Sequence, residues 1–196
     1  MSGGDLLVHG GRLIGPSGVT PADVLIRGGR VAEVGAGLEA PGSVARLDAA
    51  GKLVLPGLTD PQVHFREPGL TQKEDLASGS LAAIAGGVTG FMEMPNTNPN
   101  TDSPERLEDK LSRASGRCRS DYAFFLGGTR ENADVIGEWE HMPGCAGIKV
   151  FMGSSTGSLL VPDDPTLERK TTGPSARGRS STSFGSTAPA AREAFR

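Results

Sequence analysis

LVLPGLTDPQVHFREPG, residues 53–69, is the stretch that decides the fold. Its apolar first part, bounded by Gly and Pro, is typical of a buried strand and predicts one over residues 53–65. A helical pattern follows at 72–85, so the stretch opens a unit of strand, polar loop and helix. The same order of patterns recurs downstream, which predicts a series of β/α units.

Three further units follow the first. We predict strands at 88–94, 121–126 and 146–152, and helices at 103–115, about 131–140 and 165–169. Strands that alternate with helices form parallel sheets with right-handed crossovers. A closed barrel of eight such units takes ~250 residues, and residues 53–169 have room for about half of one. The predicted fold class is therefore α/β, a partial (β/α)8 TIM-type barrel of about four units.

The two ends of the chain differ from this middle part. Residues 1–52 contain short strand patterns at 6–9, 24–27 and 30–34, and Gly28-Gly29 predicts a two-residue hairpin between the last two. Residues 170–196 contain no Leu, Ile, Val or Met, and carry five basic residues against one acidic residue. Such a segment cannot bury enough apolar surface to offset its ordering entropy, so we predict a disordered tail. Its composition favours a coding region translated out of frame over a natural flexible tail.

Composition narrows the class of protein. A net charge of −3 argues against a dedicated nucleic-acid binder, and no apolar run approaches the ~18 residues of a membrane span. Cys118 and Cys145 show no CxxC spacing, and two such thiols are typical of a reducing compartment. We therefore predict a cytoplasmic protein that binds neither nucleic acid nor membranes.

Polar residues at strand ends are the candidate functional groups, because catalytic groups of β/α barrels gather there. Gln62, His64 and Arg66 are two residues apart, which places them on one face of a strand. His64 is by this pattern either a metal ligand or an ordinary polar residue. The loop at 94–99 contains Asn96 as a second candidate. The alternative interpretation is that its Pro and Asn residues only form a turn. Lys149 stands inside an apolar strand, where a charge is costly unless it is paired or chemically modified.

Three motifs together are more specific than any one alone. DPQVHFREPG (60–69), EMPNTNP (93–99) and GIKVFMGSSTG (147–157) resemble the dihydroorotase branch of the amidohydrolase superfamily, and the resemblance covers roughly residues 5–168. It implies a small β-sandwich segment at 1–52 ahead of the barrel at 53–169. It also implies a zinc-dependent hydrolase that interconverts a carboxylate-bearing cyclic amide and its open form, as in carbamoyl-aspartate and dihydroorotate during pyrimidine biosynthesis.

The resemblance also implies roles for single residues. His64 matches the second histidine of a His-x-His metal motif whose first position is Gln62 here, and Lys149 matches a lysine that becomes carboxylated and bridges two metals. Arg66 and Asn96 match positions that hold the substrate carboxylate. Two further histidines and the general-base aspartate would stand on later strands, beyond the end of the pattern. We therefore predict no catalytic residue in this chain, and expect it to be truncated and inactive.

Other interpretations of the sequence remain open. The chain is alternatively a non-catalytic homologue that serves as a structural partner subunit, which the glutamine at position 62 favours. It could also derive from an active subfamily that binds one metal, or be a β/α binding module without metal. Half a barrel exposes two strand edges, so we expect self-association or a partner subunit to cover them.

Overall fold

The structure, a computed structural model, describes residues 4–153 and 159–161. The predicted helix at 165–169, the tail at 170–196 and most of the loop after Gly153 lie outside the described residues. Contacts divide the chain into two compact units, Met1–Pro56 and Gly57–Arg196. Among the described residues, no helix is long and apolar enough to cross a membrane.

The described part of the first unit is built from strands. They are β1 (Leu6–His9), β2 (Arg12–Gly15), β3 (Gly18–Pro21), β4 (Asp23–Arg27), β5 (Arg30–Gly35), β6 (Ala45–Asp48) and β7 (Leu53–Val54). They form two sheets, with strand orders β5-β4-β1-β6 and β3-β2-β7. The predicted hairpin is confirmed: β4 and β5 are antiparallel, and Gly28 and Gly29 have φ values of 57° and 78°. Positive φ at both positions is what a two-residue turn of this kind requires.

The second unit contains the predicted β/α series. Its elements are β8 (Leu58–Val63), α1 (Leu76–Ala85), β9 (Val88–Glu93), α2 (Pro104–Ala114), β10 (Asp121–Gly127), α3 (Ile136–Trp139) and β11 (Cys145–Lys149). The strands form one parallel sheet in the order β11-β10-β9-β8. Sequential order and parallel pairing confirm four consecutive strands of a half-barrel sheet.

Several predicted boundaries were wrong. The strand predicted at 53–65 is divided, because Leu53–Val54 pairs with β2 and only Leu58–Val63 pairs with β9. The helix predicted at 72–85 begins at Leu76, since the Asp75 carboxylate accepts the N–H groups of Ala77 and Ser78 and so caps the helix there. The helix at 103–115 is confirmed, with Ser103 as its N-cap.

The helix predicted at about 131–140 shrinks to the four residues Ile136–Trp139. The side chain of Asn132 donates to the carbonyls of Gly127 and Asp102, both at 2.9 Å, and accepts from the N–H of Thr129 at 2.8 Å. These bonds tie residue 132 to neighbouring loops instead of to a helix. Asn side chains compete with helical hydrogen bonds in this way.

Aromatic packing forms the core of the second unit. Phe91 lies in the centre of β9 with no exposure, and the Phe65 ring meets it edge-on with centroids 4.8 Å apart. Phe124 of β10 packs against the same ring at 6.4 Å. Because Phe65 stands between His64 and Arg66, this core fixes the chain segment that carries both candidate residues.

Candidate functional site

His64 and Asn96 meet where β8 and β9 end. His64 directly follows β8, and its Nδ1 lies 3.0 Å from Oδ1 of the buried Asn96 in the loop after β9. An amide oxygen only accepts, so Nδ1 carries the ring proton and Nε2 keeps a lone pair. Burial lowers the pKa of His64, and the charge of Arg66 lowers it further, so the ring is neutral near neutral pH.

Arg66 is held in an unusual backbone conformation beside this pair. Its φ is 68°, a left-handed value that costs a non-glycine residue ~1–3 kcal/mol and persists only when the surroundings enforce it. Its N–H donates to Oε1 of Glu93 at 2.9 Å, and its Nη1 donates to the carbonyl of Asn96 at 3.4 Å. The structure thus brings together His64, Arg66 and Asn96, which the sequence predicted as site residues.

A buried ion pair in contact with this segment was not predicted from the sequence. Glu93, the last residue of β9, and Lys110 of α2 have no exposed side-chain surface, and Lys110 Nζ lies 3.0 Å from Glu93 Oε2. Burial raises the pKa of Glu93 and lowers that of Lys110, and the attraction within the pair opposes both shifts. The available signal was helical spacing, because Lys110 stands between Leu107 and Ala114 on the buried face of α2.

Gln62 and Lys149, the other two residues that the sequence singled out, have contacts of their own. Gln62 is exposed, and its backbone N–H donates to Oδ1 of Asp60 at 2.9 Å. The register of β8 against β9 shifts between Asp60 and Val63, so the expected two-residue alternation is interrupted there. Lys149 ends β11 half-buried, with Nζ 5.1 Å from the centroid of the Phe151 ring, a cation–π contact. Its charge contributes to lowering the pKa of His64.

The donors in the described residues do not fit a metal centre by themselves. No group of three or more His, Cys, Asp or Glu side chains within residues 4–153 and 159–161 is arranged to hold a metal ion. A zinc site needs at least three protein ligands of the imidazole, carboxylate or thiolate type, and His64 is one side chain of that type. By themselves these side chains therefore offer fewer donors than a metal centre needs, and their geometry supports roles in binding and positioning.

Comparisons with known proteins point to one family. The model of the family Dihydro-orotase-like matches residues 51–132. A dihydroorotase of Geobacter sp. (strain M21) is 41% identical over 150 residues, which are 74% of this chain and 35% of that protein. A dihydroorotase of Citrifermentans bemidjiense is 52% identical over 150 residues, with the same shares. The chain spans about a third of the length of these curated relatives.

Solved structures agree with the fold. The L-hydantoinase (dihydropyrimidinase) from Arthrobacter aurescens superposes with a TM-score of 0.78 at 29% identity, covering 86% of this chain and 38% of that one. The D-hydantoinase (dihydropyrimidinase) from Thermus sp. gives 0.71 at 30% identity, over 84% and 36%. These neighbours are TIM-barrel proteins, which confirms the α/β class and the partial TIM-type barrel.

Proposed function

We propose that this chain, a portion of a dihydroorotase-type amidohydrolase, carries a site that serves the interconversion of carbamoyl-aspartate and dihydroorotate in pyrimidine biosynthesis. The observation that carries the proposal is the convergence of His64, Arg66 and Asn96 at the carboxyl ends of β8 and β9. This is the end of a β/α barrel where substrates bind.

Arg66 and Asn96 are the proposed substrate-binding residues. A guanidinium forms two parallel charge-assisted hydrogen bonds with a carboxylate, which favours a carboxylate-bearing cyclic amide over an uncharged one. Asn96 Oδ1 already accepts from His64, so its amide nitrogen is the group that can donate to a ligand. Both residues are positioned by hydrogen bonds before any ligand arrives, which lowers the entropic cost of binding.

His64 is proposed to act through Nε2, the ring nitrogen that keeps a lone pair. The family expectation of zinc assigns His64 and Lys149 to a metal site, and the described residues supply only this part of it. The general-base aspartate has no proposed position in this chain. The free, buried thiols of Cys118 and Cys145 support placing the protein in the reducing cytoplasm.

Titration calorimetry of the full chain with N-carbamoyl-aspartate, dihydroorotate and uncharged hydantoin tests this proposal. We expect the two carboxylates to bind and hydantoin not to bind. Arg66→Lys keeps the charge but loses the two parallel N–H donors of the guanidinium. It should weaken carboxylate binding by about tenfold, or ~1.4 kcal/mol. Equal affinity for hydantoin and the carboxylates, or an unchanged affinity in Arg66→Lys, would contradict the assignment of Arg66.

A second candidate function is a non-catalytic partner subunit. The exposed glutamine at position 62, where the family resemblance places a histidine, is the observation that favours it. If this candidate is right, the chain should elute from a size-exclusion column in one defined complex. It should show no turnover of dihydroorotate in the presence of zinc, and the Gln62→His variant should show none either. Turnover that disappears on mixing with a chelator would instead support the enzyme.

A further inference from the structure

The buried pair of Glu93 and Lys110 contacts the backbone of the loops that carry the proposed substrate residues. Both side chains are fully buried, and they come from two different elements, β9 and α2. Removing two charges from water costs about as much as their mutual attraction returns, so such a pair is a weak source of stability. Its position suggests that it serves another purpose.

Glu93 fixes the backbone of the loop that follows β8. Its Oε1 accepts the N–H of Arg66 at 2.9 Å, and that residue has the left-handed φ of 68°. A carboxylate hydrogen bond to this N–H is a direct means of holding the conformation that aims the guanidinium. The second oxygen, Oε2, faces Lys110 at 3.0 Å and is thereby neutralised inside the core.

Lys110 fixes the loop that follows β9. Its Nζ donates to the carbonyl of Met94 at 3.3 Å, two residues before Asn96, and lies 5.1 Å from the centroid of the Phe124 ring. The N–H of Met94 in turn donates to the carbonyl of Val63, immediately before His64. The pair therefore touches the backbone at the start of both loops that form the site.

From these contacts we infer that Glu93 and Lys110 are positioning residues, which set the backbone at Arg66 and Asn96 so that both side chains can bind one carboxylate. Glu93 supplies the acceptor for the Arg66 N–H, and Lys110 supplies the counter-charge and the bond to Met94. The inference rests on the proposed function for its ligand, but the backbone arrangement at Arg66 can be measured without one.

The test compares two double variants of the full chain that differ only in the acceptor at position 93. Glu93→Gln with Lys110→Met removes both charges and keeps an amide oxygen for the Arg66 N–H. Glu93→Met with Lys110→Met removes both charges and the acceptor. We expect the first variant to bind N-carbamoyl-aspartate within about threefold of the original chain, and the second to bind it at least about tenfold more weakly.

Amide hydrogen exchange separates positioning from overall stability. In the variant without an acceptor, the Arg66 amide should lose its protection while the amide of Phe124 in the core keeps it. If the pair has a purely structural role, the Arg66 and Phe124 amides should lose protection against exchange together. That result would overturn the inference. Equal ligand affinity of the two folded variants would overturn it as well.

The original chain provides a measurement that does not require either variant to fold. Its Arg66 amide should exchange as slowly as the core amides, and exchange at the rate of an unfolded chain would overturn the inference. If N-carbamoyl-aspartate does not bind the original chain while the Arg66 amide is protected, the proposed function fails and the positioning by Glu93 stands.

Discussion

At the scale of single residues, Arg66 combines strain with function. Its φ of 68° is a conformation that glycine adopts without cost. We expect Arg66→Gly to raise the free energy of unfolding by about 1 kcal/mol relative to Arg66→Ala, which keeps a Cβ in the same conformation. Both variants should lose carboxylate binding. Denaturant titrations measure the first effect, and equal stabilities of the two variants would show that the left-handed conformation is absent.

Asp23 provides a pH-dependent prediction in the first unit. Its carboxylate accepts the N–H groups of Gly10 at 2.8 Å and Leu38 at 2.9 Å, and these bonds lower its pKa below the ordinary 3.8. A lowered pKa means that the unfolded chain binds the proton more readily. The stabilisation is therefore complete well above pH 3.8, declines as the pH approaches 3.8, and is lost as the pH falls through the folded-state value.

Asp23→Asn should consequently be less stable than the original chain at neutral pH, because its single amide oxygen can accept only one of the two N–H groups and its NH2 group cannot accept the other. The difference between the two free energies of unfolding should narrow as the pH falls from about 5 to about 3. Denaturant titrations of both proteins across this range give the comparison. Curves that stay parallel would mean that the carboxylate is not held by these bonds.

The position of a site residue in the fold decides whether the sequence could predict it. His64, Arg66 and Asn96 follow strands in polar loops, and strand ends of parallel sheets are known positions for functional groups. Lys110 lies in a helix of otherwise ordinary amphipathic pattern, and its burial depends on Glu93, which is 17 positions away in the sequence. Contacts of this kind are set by the tertiary packing of α2 on the sheet, which local pattern does not contain.

At the scale of elements, helix α1 is packed against the site through a glycine. A Cβ on Gly79 would lie 2.5 Å from the Phe65 ring, whereas a Cβ on Gly86, at the end of the same helix, would meet its nearest atom at 3.5 Å. Alanine in place of a helical glycine normally stabilises by roughly 0.5–1 kcal/mol. We expect Gly79→Ala instead to destabilise by ~1–3 kcal/mol through overpacking, with Gly86→Ala as the control.

The same pair of variants connects packing to binding. Since Phe65 stands between His64 and Arg66, displacing its ring should also weaken the binding of N-carbamoyl-aspartate, and Gly86→Ala should leave it unchanged. Thermal unfolding and calorimetry give the two readouts. A stabilised Gly79→Ala variant would show that α1 does not approach Phe65 as closely as described.

Element bounds were predicted well where local chemistry decides them and poorly where side chains bind distant backbone. Ser103 begins α2 as the sequence indicated, because an N-cap acts within its own turn. The start of α1 was placed too early, although Asp75 is also a local cap, because the pattern before it mimics a helix. The helix before Ile136 was wrongly predicted because the side chain of Asn132 binds distant backbone, including the carbonyl of Asp102, 30 positions earlier.

At the scale of the whole molecule, the parallel sheet has two ends among the described strands. In the order β11-β10-β9-β8, the outer edge of β8 has no partner among these residues. An unpaired edge offers N–H and C=O groups to a second chain. The outer edge of β8 is therefore the place where we expect a second chain to pair, and substitutions on this strand can test it.

We expect the chain to associate in sedimentation experiments, and Leu58→Lys on β8 to shift it toward the monomer, because a charge on an edge strand opposes strand pairing. The matched control is Leu81→Lys on α1, since Leu58 and Leu81 are 56% and 57% exposed. Both variants remove the same apolar surface, but only the first places its charge on the sheet edge. Dispersal by Leu81→Lys alone would assign the association to the outer face of α1. Equal dispersal by both would indicate that general apolar exposure, and not strand pairing, drives it.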